Sequence, residues 1–395
     1  MSARDAWITG IGLVTSFGEG ADAHWTALTG SPKPRVDETA FAPFPVHPAP
    51  VLDLDRQIPK KGDQRQMEPW QRAGTYAAGL ALDAAGARGL VADMHMIVAA
   101  GGGERDIALD EAVAAEIARL PPEQAGRVLN ERLQTGLRPT LFLAQLSNLL
   151  AGNISIVHGV TGSSRTFMGE ESAAADAVRI ACARLAEGRG DAFVVGGAFL
   201  GARWDMLLLY GAGGGLWRGA YAPVSARPGG GMVLGCVNAF LVIEAAEHAK
   251  ARGAAPLARI AAVATDASRR VGPGAIRASA EALWQGMAAA APDGPLAVIS
   301  GASGAAAATA EERDFLAALA PAAIRTPASL WGHGMEAAFP ANIALGALAL
   351  SKGAIFAPCD PSDTGSAAPG AVLVTGIGHW RGEALALLTP AEDPR

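Results

Sequence analysis

The chain has 395 residues, half of them hydrophobic and only 18% charged, with 49 glycines, 25 prolines and a net charge of −6. That balance excludes a disordered chain, which couples low hydrophobicity to high charge, and the length is enough to bury a large core. The acidic balance argues against nucleic acid, which needs a clustered basic face; Lys60-Lys61 with Arg65 reads as solvated surface.

The residues at 7–12 form the first of several short apolar runs that end in glycine. Each such run predicts a buried strand entering a tight turn. Residues 33–63, rich in proline and charge, predict a surface excursion. An Ala-rich stretch at 69–86 predicts a helix, and 96–101 the second glycine-ended strand. A second helix is expected over 171–187, followed by a strand at 193–197. The stretch 244–256, which runs into Arg252-Gly253, reads as a seam. Beyond it come a strand at 297–301, a helix at 340–351 with Pro340 in its first turn, and a second excursion at 359–370. A strand at 372–376 completes the series. Strands alternating with helices indicate α/β layers. The chain also echoes itself: Ile8-Thr9-Gly10-Ile11-Gly12 matches Val374-Thr375-Gly376-Ile377-Gly378, and the runs at Val98 and Val298 both enter glycine. This order suggests two similar halves.

No uninterrupted apolar run reaches the ~18 residues of a membrane span. The opening residues lack the basic and apolar regions of a secretory leader. Cys182, Cys236 and Cys359 show no CxxC spacing, so neither a disulfide framework nor a metal site is expected. The expected compartment is the reducing cytoplasm.

The reading becomes specific at 148–197. Asn148 to Gly152, Ile154 to Val157, Gly159, Gly162 and Ser164 precede a helix and a strand ending at Gly196-Gly197. This run resembles β-ketoacyl-acyl-carrier-protein synthases, the ketosynthases of the thiolase-like superfamily, without a gap. Other motifs agree. Ile8 to Thr15 with Gly18 resembles the family's first strand and turn, and Gln64 to Met67 the segment downstream. Gly231 to Gly235 with Val242 to Glu244 resembles its mid-chain hairpin. Gly332-His333 with Ala337-Ala338 resembles the second histidine motif, and Gly376 to Gly378 the glycine-rich gate. The resemblance covers roughly residues 5–388. It implies an α/β, five-layered αβαβα thiolase-like fold with two pseudo-symmetric halves, 1–250 and 251–395. It also implies dimers formed across strands near the nucleophile.

Condensation needs a nucleophile to hold the acyl chain, and groups that stabilise enolate and oxyanion. The family supplies a cysteine at a helix N-terminus, where the dipole lowers its pKa, together with two histidines and a lysine. Here the nucleophile position falls on Glu171, in Phe167-Met168-Gly169-Glu170-Glu171-Ser172. Cys182, eleven residues on among Ile180, Ala181, Ala183 and Leu185, reads as core. Glu170 and Glu171 also suit the positive end of a helix without any chemistry. The first histidine is lost near Ala302, and the family's threonines there have become alanine. The second is retained as His333, read as structural and bonding backbone at the old site. The lysine position falls on Ala328, and the acidic residue of the hairpin on Cys236. His379, after Ile377 and Gly378 in the altered gate, reads as a loop or surface residue.

Four catalytic positions change together while the scaffold motifs stay. The pattern resembles chain-length factors, ketosynthase-like subunits that pair with an active ketosynthase. The resemblance implies a noncatalytic subunit of a heterodimer in fatty acid or polyketide biosynthesis. It would shape the acyl tunnel through Phe167, Met168, Glu170, Glu171, Ile377 and His379. The second partner implied is an acyl carrier protein, whose phosphopantetheine arm carries the substrate; no cofactor is expected. Arg132 and Arg138 could contribute to docking it. Two alternatives stay open. One is an acyltransferase or malonyl decarboxylase in its own right, using Glu171 and His333. The other is a homodimeric acyl-binding scaffold.

Overall fold

The computed structural model describes residues 4–103, 105–138, 141 and 145–391. Its strands are β1 (Ala6–Thr15), β2 (Gly18–Glu19), β3 (His95–Ala100), β4 (Ser164–Phe167), β5 (Ala192–Leu200) and β6 (Cys236–Ala245). They continue with β7 (Ala258–Asp266), β8 (Leu296–Ile299), β9 (Ala323–Arg325), β10 (Ala371–Ile377) and β11 (Glu383–Thr389). The spatial order is β4-β3-β5-β6-β1-β7-β11-β10-β8-β9, with the short β2 on β1. In the first half, β4, β3 and β5 run parallel, and β6 and β1 continue antiparallel. In the second, β9, β8 and β10 run parallel, and β11 and β7 continue antiparallel. Taken in chain order, the two halves use the same arrangement. A short antiparallel pairing of Ala6–Ile8 with Ala258–Ile260 joins them into one sheet.

The topology pairs β1 with β7, β3 with β8 and β5 with β10. The Val98 and Val298 runs therefore occupy equivalent strands. The echo between residues 8–12 and 374–378 does not: it matches β1 to β10, which sit at different positions in the two halves. Gly231 to Gly235 also forms no hairpin with β6. Met232 and Leu234 bridge Leu216 and His333 instead, while β6 lies between β5 and β1.

Helices cover both outer faces and fill the space between the halves. The helices α1 (Pro69–Ala84) and α2 (Leu149–His158) cover the first half. Helix α3 (Glu170–Ala186) lies between the halves, touching β3 and β5 on one side and β7 and β10 on the other. The helices α4 (Ala275–Met287) and α5 (Ala306–Leu319) cover the second half. Helix α6 (Ala338–Lys352) joins α3 in the central layer, against β6, β10 and β11. The result is the five-layered thiolase-like arrangement. Every residue of β1 is buried, and small residues let its neighbours close in. A Cβ on Gly10 would stand 2.3 Å from the Ala81 carbonyl oxygen, and one on Gly12 would stand 1.8 Å from that of Ala77. The backbone of α1 rests directly on the strand.

The segment 33–63 is largely irregular, but Val46, His47 and Ile58 are fully buried. The His47 backbone N–H donates to the Leu234 carbonyl at 2.9 Å, so this excursion is stitched into the body. Among the described residues no helix is long and apolar enough to cross a membrane.

Candidate functional site

Between β4 and α3 the chain turns through two unusual conformations. Gly169 has φ 132° and Glu170, a non-glycine residue, has φ 52°. Left-handed backbone at such a residue costs of order 1–3 kcal/mol and persists where its surroundings hold it. Here the turn delivers Glu171 into the interior, where it is 4% exposed. His333 Nε2 donates to Glu171 Oε1 at 2.8 Å, and His333 is buried too. The His379 backbone N–H donates to the same oxygen at 3.1 Å. Its ring Nδ1 stands 3.1 Å from Oε1 and 3.2 Å from Oε2.

Burial by itself pushes the Glu171 carboxyl up. The bonds from His333 and His379 outweigh it and hold the group well below the usual carboxylate range. Burial lowers His379, and its contact with Glu171 outweighs that and raises it. An ionised carboxylate only accepts, so the ring nitrogens facing it carry hydrogens.

The loop carrying His379 is held from both sides. Trp380 Nε1 donates to Glu170 Oε2 at 3.3 Å, and Arg381 lies 3.5 Å from that oxygen. Arg270 donates to the Gly378 carbonyl and to Glu383 at 2.7 Å each.

Beside this cluster lies a cavity of about 300 Å³. Its walls include Trp70, Phe199, Met206, Leu209 and Tyr210, with Glu170, Arg203, Glu336 and Arg381 among them. Glu336 is buried, and its Oε2 has no hydrogen-bond partner among the described residues. Burial, with Glu171 and Glu170 nearby, pushes its carboxyl up to about 7. Arg203 is committed to Asp205 at 2.5 Å and to the Gly103 carbonyl at 2.8 Å.

The structure brings Glu171, His333 and His379 together, and Glu170 closes the loop beside them. Two expectations are corrected. His379 does lie in a loop, but half-buried as a partner of the carboxylate and not at the surface. The His333 ring bonds Glu171; it is its backbone that continues the local pairing, through an N–H bond to the Val233 carbonyl at 2.8 Å. Met168 is 65% exposed at the cavity mouth. Phe167 is partly buried against the main core. Ile377 packs with Ile276 and Ala308. Ala302 is buried just after β8, and Ala328 opens a short helix, Ala328–Trp331. Cys182 packs against the core, with its thiol pushed up by burial to about 12. Arg132 is paired with Glu116 at 2.7 Å and Arg138 with Glu68 at 3.0 Å, so both charges are compensated locally. The sequence reading missed Glu336, Arg270 and Tyr210. Only the spacing of Glu336, three residues after His333, could have drawn attention to it.

Known proteins place this arrangement. The family described as "Beta-ketoacyl synthase, N-terminal domain" matches residues 3–249. The 3-oxoacyl-[acyl-carrier-protein] synthase 2 proteins of Vibrio cholerae serotype O1 and Vibrio harveyi are each 27% identical over 265 residues, 64% of this chain. The chain spans about three fifths (61%) of the length of these curated relatives. Among solved structures, the ishigamide ketosynthase/chain length factor superposes with a TM-score of 0.78 at 19% identity, covering 99% of this chain and 100% of that one. A β-ketoacyl synthase from Burkholderia phymatum STM815 gives 0.75 at 18%, covering 98% and 100%. A type II polyketide ketosynthase, bound to a hexaketide and in complex with its acyl-carrier protein, gives 0.74 at 18%, with the same coverage. A family match over more than half the chain makes this chain a member of the β-ketoacyl synthase family.

Proposed function

We propose that this protein is a ketosynthase-like subunit of fatty acid or polyketide biosynthesis that performs no condensation itself. It would pair with an active ketosynthase and bound the acyl chain carried on the phosphopantetheine arm of an acyl carrier protein. The observation that carries this reading is the state of Glu171. The side chain at the nucleophile position is a buried, ionised carboxylate with three hydrogen-bond donors on it. Such a group is a poor nucleophile, because attack must first give up those bonds and the charge stabilisation they provide. His333 Nε2 is engaged by the carboxylate, no histidine stands near Ala302 where the resemblance expects the first one, and the lysine position holds Ala328.

Two surface features support a protein partner. Strand β4 pairs only with β3 among the described residues, which leaves a free edge able to accept another strand. Met168, next to that edge, is strongly exposed for an apolar side chain. The cavity, walled by Trp70, Phe199, Leu209 and Tyr210, is mostly apolar and suits part of an acyl chain.

The test is reconstitution. Mixing the purified chain with its cognate ketosynthase should give a stable 1:1 complex. Condensation by that complex should need the partner's cysteine and survive Glu171→Ala. If the isolated chain elongates or decarboxylates malonyl groups on a carrier protein, and Glu171→Gln or His333→Ala abolishes it, the chain is an enzyme and the proposal is wrong. A homodimer carrying bound lipid when purified from its own cell would also overturn it.

A further inference from the structure

Two stretches of apolar surface are used neither by the core nor by the Glu171 cluster. The first is a helical hairpin between β3 and β4, made of Ile107–Ile117 and Pro122–Gly136. Val113 is the one buried residue of its two helices, and each helix packs mainly against the other. Leu129 and Leu137 are exposed, and Val128 and Leu133 beside them are only half-buried. Helices shorter than about 12–15 residues are marginal in water and draw their stability from packing an apolar face on something else. Two such helices laid together leave that need unmet.

The second stretch is the helix Trp204–Ala212. Leu207 points into the core, and Met206 and Tyr210 line the cavity. Trp204, Leu208 and Leu209 are 42%, 73% and 60% exposed. Both feet of the hairpin stand beside this helix and its cavity. Gly101 and Gly102 line the cavity, and the Gly103 carbonyl accepts from Arg203, the residue before the helix, at 2.8 Å. At the other foot Arg138 pairs with Glu68 at 3.0 Å, two residues before Trp70 of the cavity wall. Both surfaces stay exposed, so neither covers the other within the chain.

The chemistry selects the occupant. Arg127 and Arg132 are already paired with Glu131 and Glu116, so the hairpin offers little free charge to an acidic carrier protein. Its exposed leucines call for an apolar surface. Two apolar surfaces side by side on one subunit can be covered together by a partner of the same fold related by a two-fold axis, because each hairpin then meets the other subunit's helix.

We propose that the hairpin is an arm exchanged between subunits. It lies on the partner's counterpart of the helix Trp204–Ala212, and the partner's arm lies across Trp204, Leu208 and Leu209 of this chain. The proposal rests on the subunit reading above and names the surface that makes the pair.

Leu129→Asp and Leu208→Asp each place a charge in one of the two surfaces, where burial would strip its water. Binding of the full chain to its cognate ketosynthase is measured by calorimetry, and each variant should bind at least tenfold more weakly than wild type. Hydrogen exchange on the wild-type chain is the second readout and needs no variant to fold. Amides of residues 107–136 should exchange freely in the isolated monomer and at least tenfold more slowly in the complex, with 204–212 slowed alongside. Variants that bind within twofold of wild type, or a hairpin that exchanges as fast in the complex as alone, would overturn the arm and leave the subunit reading standing. A hairpin already protected in the isolated monomer would show that it packs on its own chain, and would also overturn it. If no complex forms at all, both readings fall.

Discussion

Replacing Glu171 with alanine removes the acceptor for three donors at once. His333 Nε2, the His379 N–H and His379 Nδ1 lose a charged partner at 2.8, 3.1 and 3.1 Å. Breaking a buried charge pair by removing one member costs about 3–5 kcal/mol. At about 2.1 cal/mol/K per residue, 395 residues unfold with an entropy near 0.8 kcal/mol/K. The expected fall in Tm is therefore about 4–6 °C, read by calorimetry at pH 6. The pH dependence adds a second signature. The depressed Glu171 pKa gives stability that is present above the unfolded carboxyl value, about 4.3, and lost as pH falls through the folded value. The raised His379 pKa gives stability that is full below its unfolded value, about 6.5, and lost as pH rises through the folded one. The gap between wild type and variant should thus be widest between about pH 4.3 and 6.5 and narrow on both sides. A variant within 1 °C of wild type at pH 6, or a gap that does not change with pH, would refute the ion-pair account.

Two further substitutions probe the neighbourhood. Glu336→Gln should stabilise the protein by roughly 3 kcal/mol at pH 8 and hardly at all at pH 4, because a carboxyl held up at about 7 costs stability once the unfolded chain ionises; urea denaturation at the two pH values checks it. Arg270→Ala should cost about 3–5 kcal/mol by leaving buried Glu383 unpaired. It should also speed hydrogen exchange of residues 378–382, whose carbonyls Arg270 holds.

Much of the fold was legible because the glycine-ended runs and Ala-rich stretches carry their own periodicity. The strands at 7–12, 96–101, 193–197, 297–301 and 372–376 and the three helices all formed within a few residues of expectation. Strands β2, β4, β7, β9 and β11 were not read out, and β6 only as half of a hairpin that does not form. Ser164–Phe167 is a polar edge strand, Ala323–Arg325 is three residues long, and β7 and β11 have no glycine-ended signature. The position of Glu171 could be counted without a gap to Gly196-Gly197. Its state could not, because His333 and His379 lie 162 and 208 residues away and only tertiary packing brings them onto one carboxylate. Glu336 was invisible for a related reason: nothing in its local pattern says that it is buried without a partner.

The contact of β1 with α1 bears on how the cavity can change. Gly10 and Gly12 set the distance between strand and helix by backbone against backbone, and Trp70, on the first turn of that helix, forms part of the cavity wall. Strand and helix therefore stand at their closest approach, and the wall at Trp70 cannot move further inward. A Cβ at either glycine would push the helix, and Trp70 with it, away from the sheet and reshape the cavity from a distance.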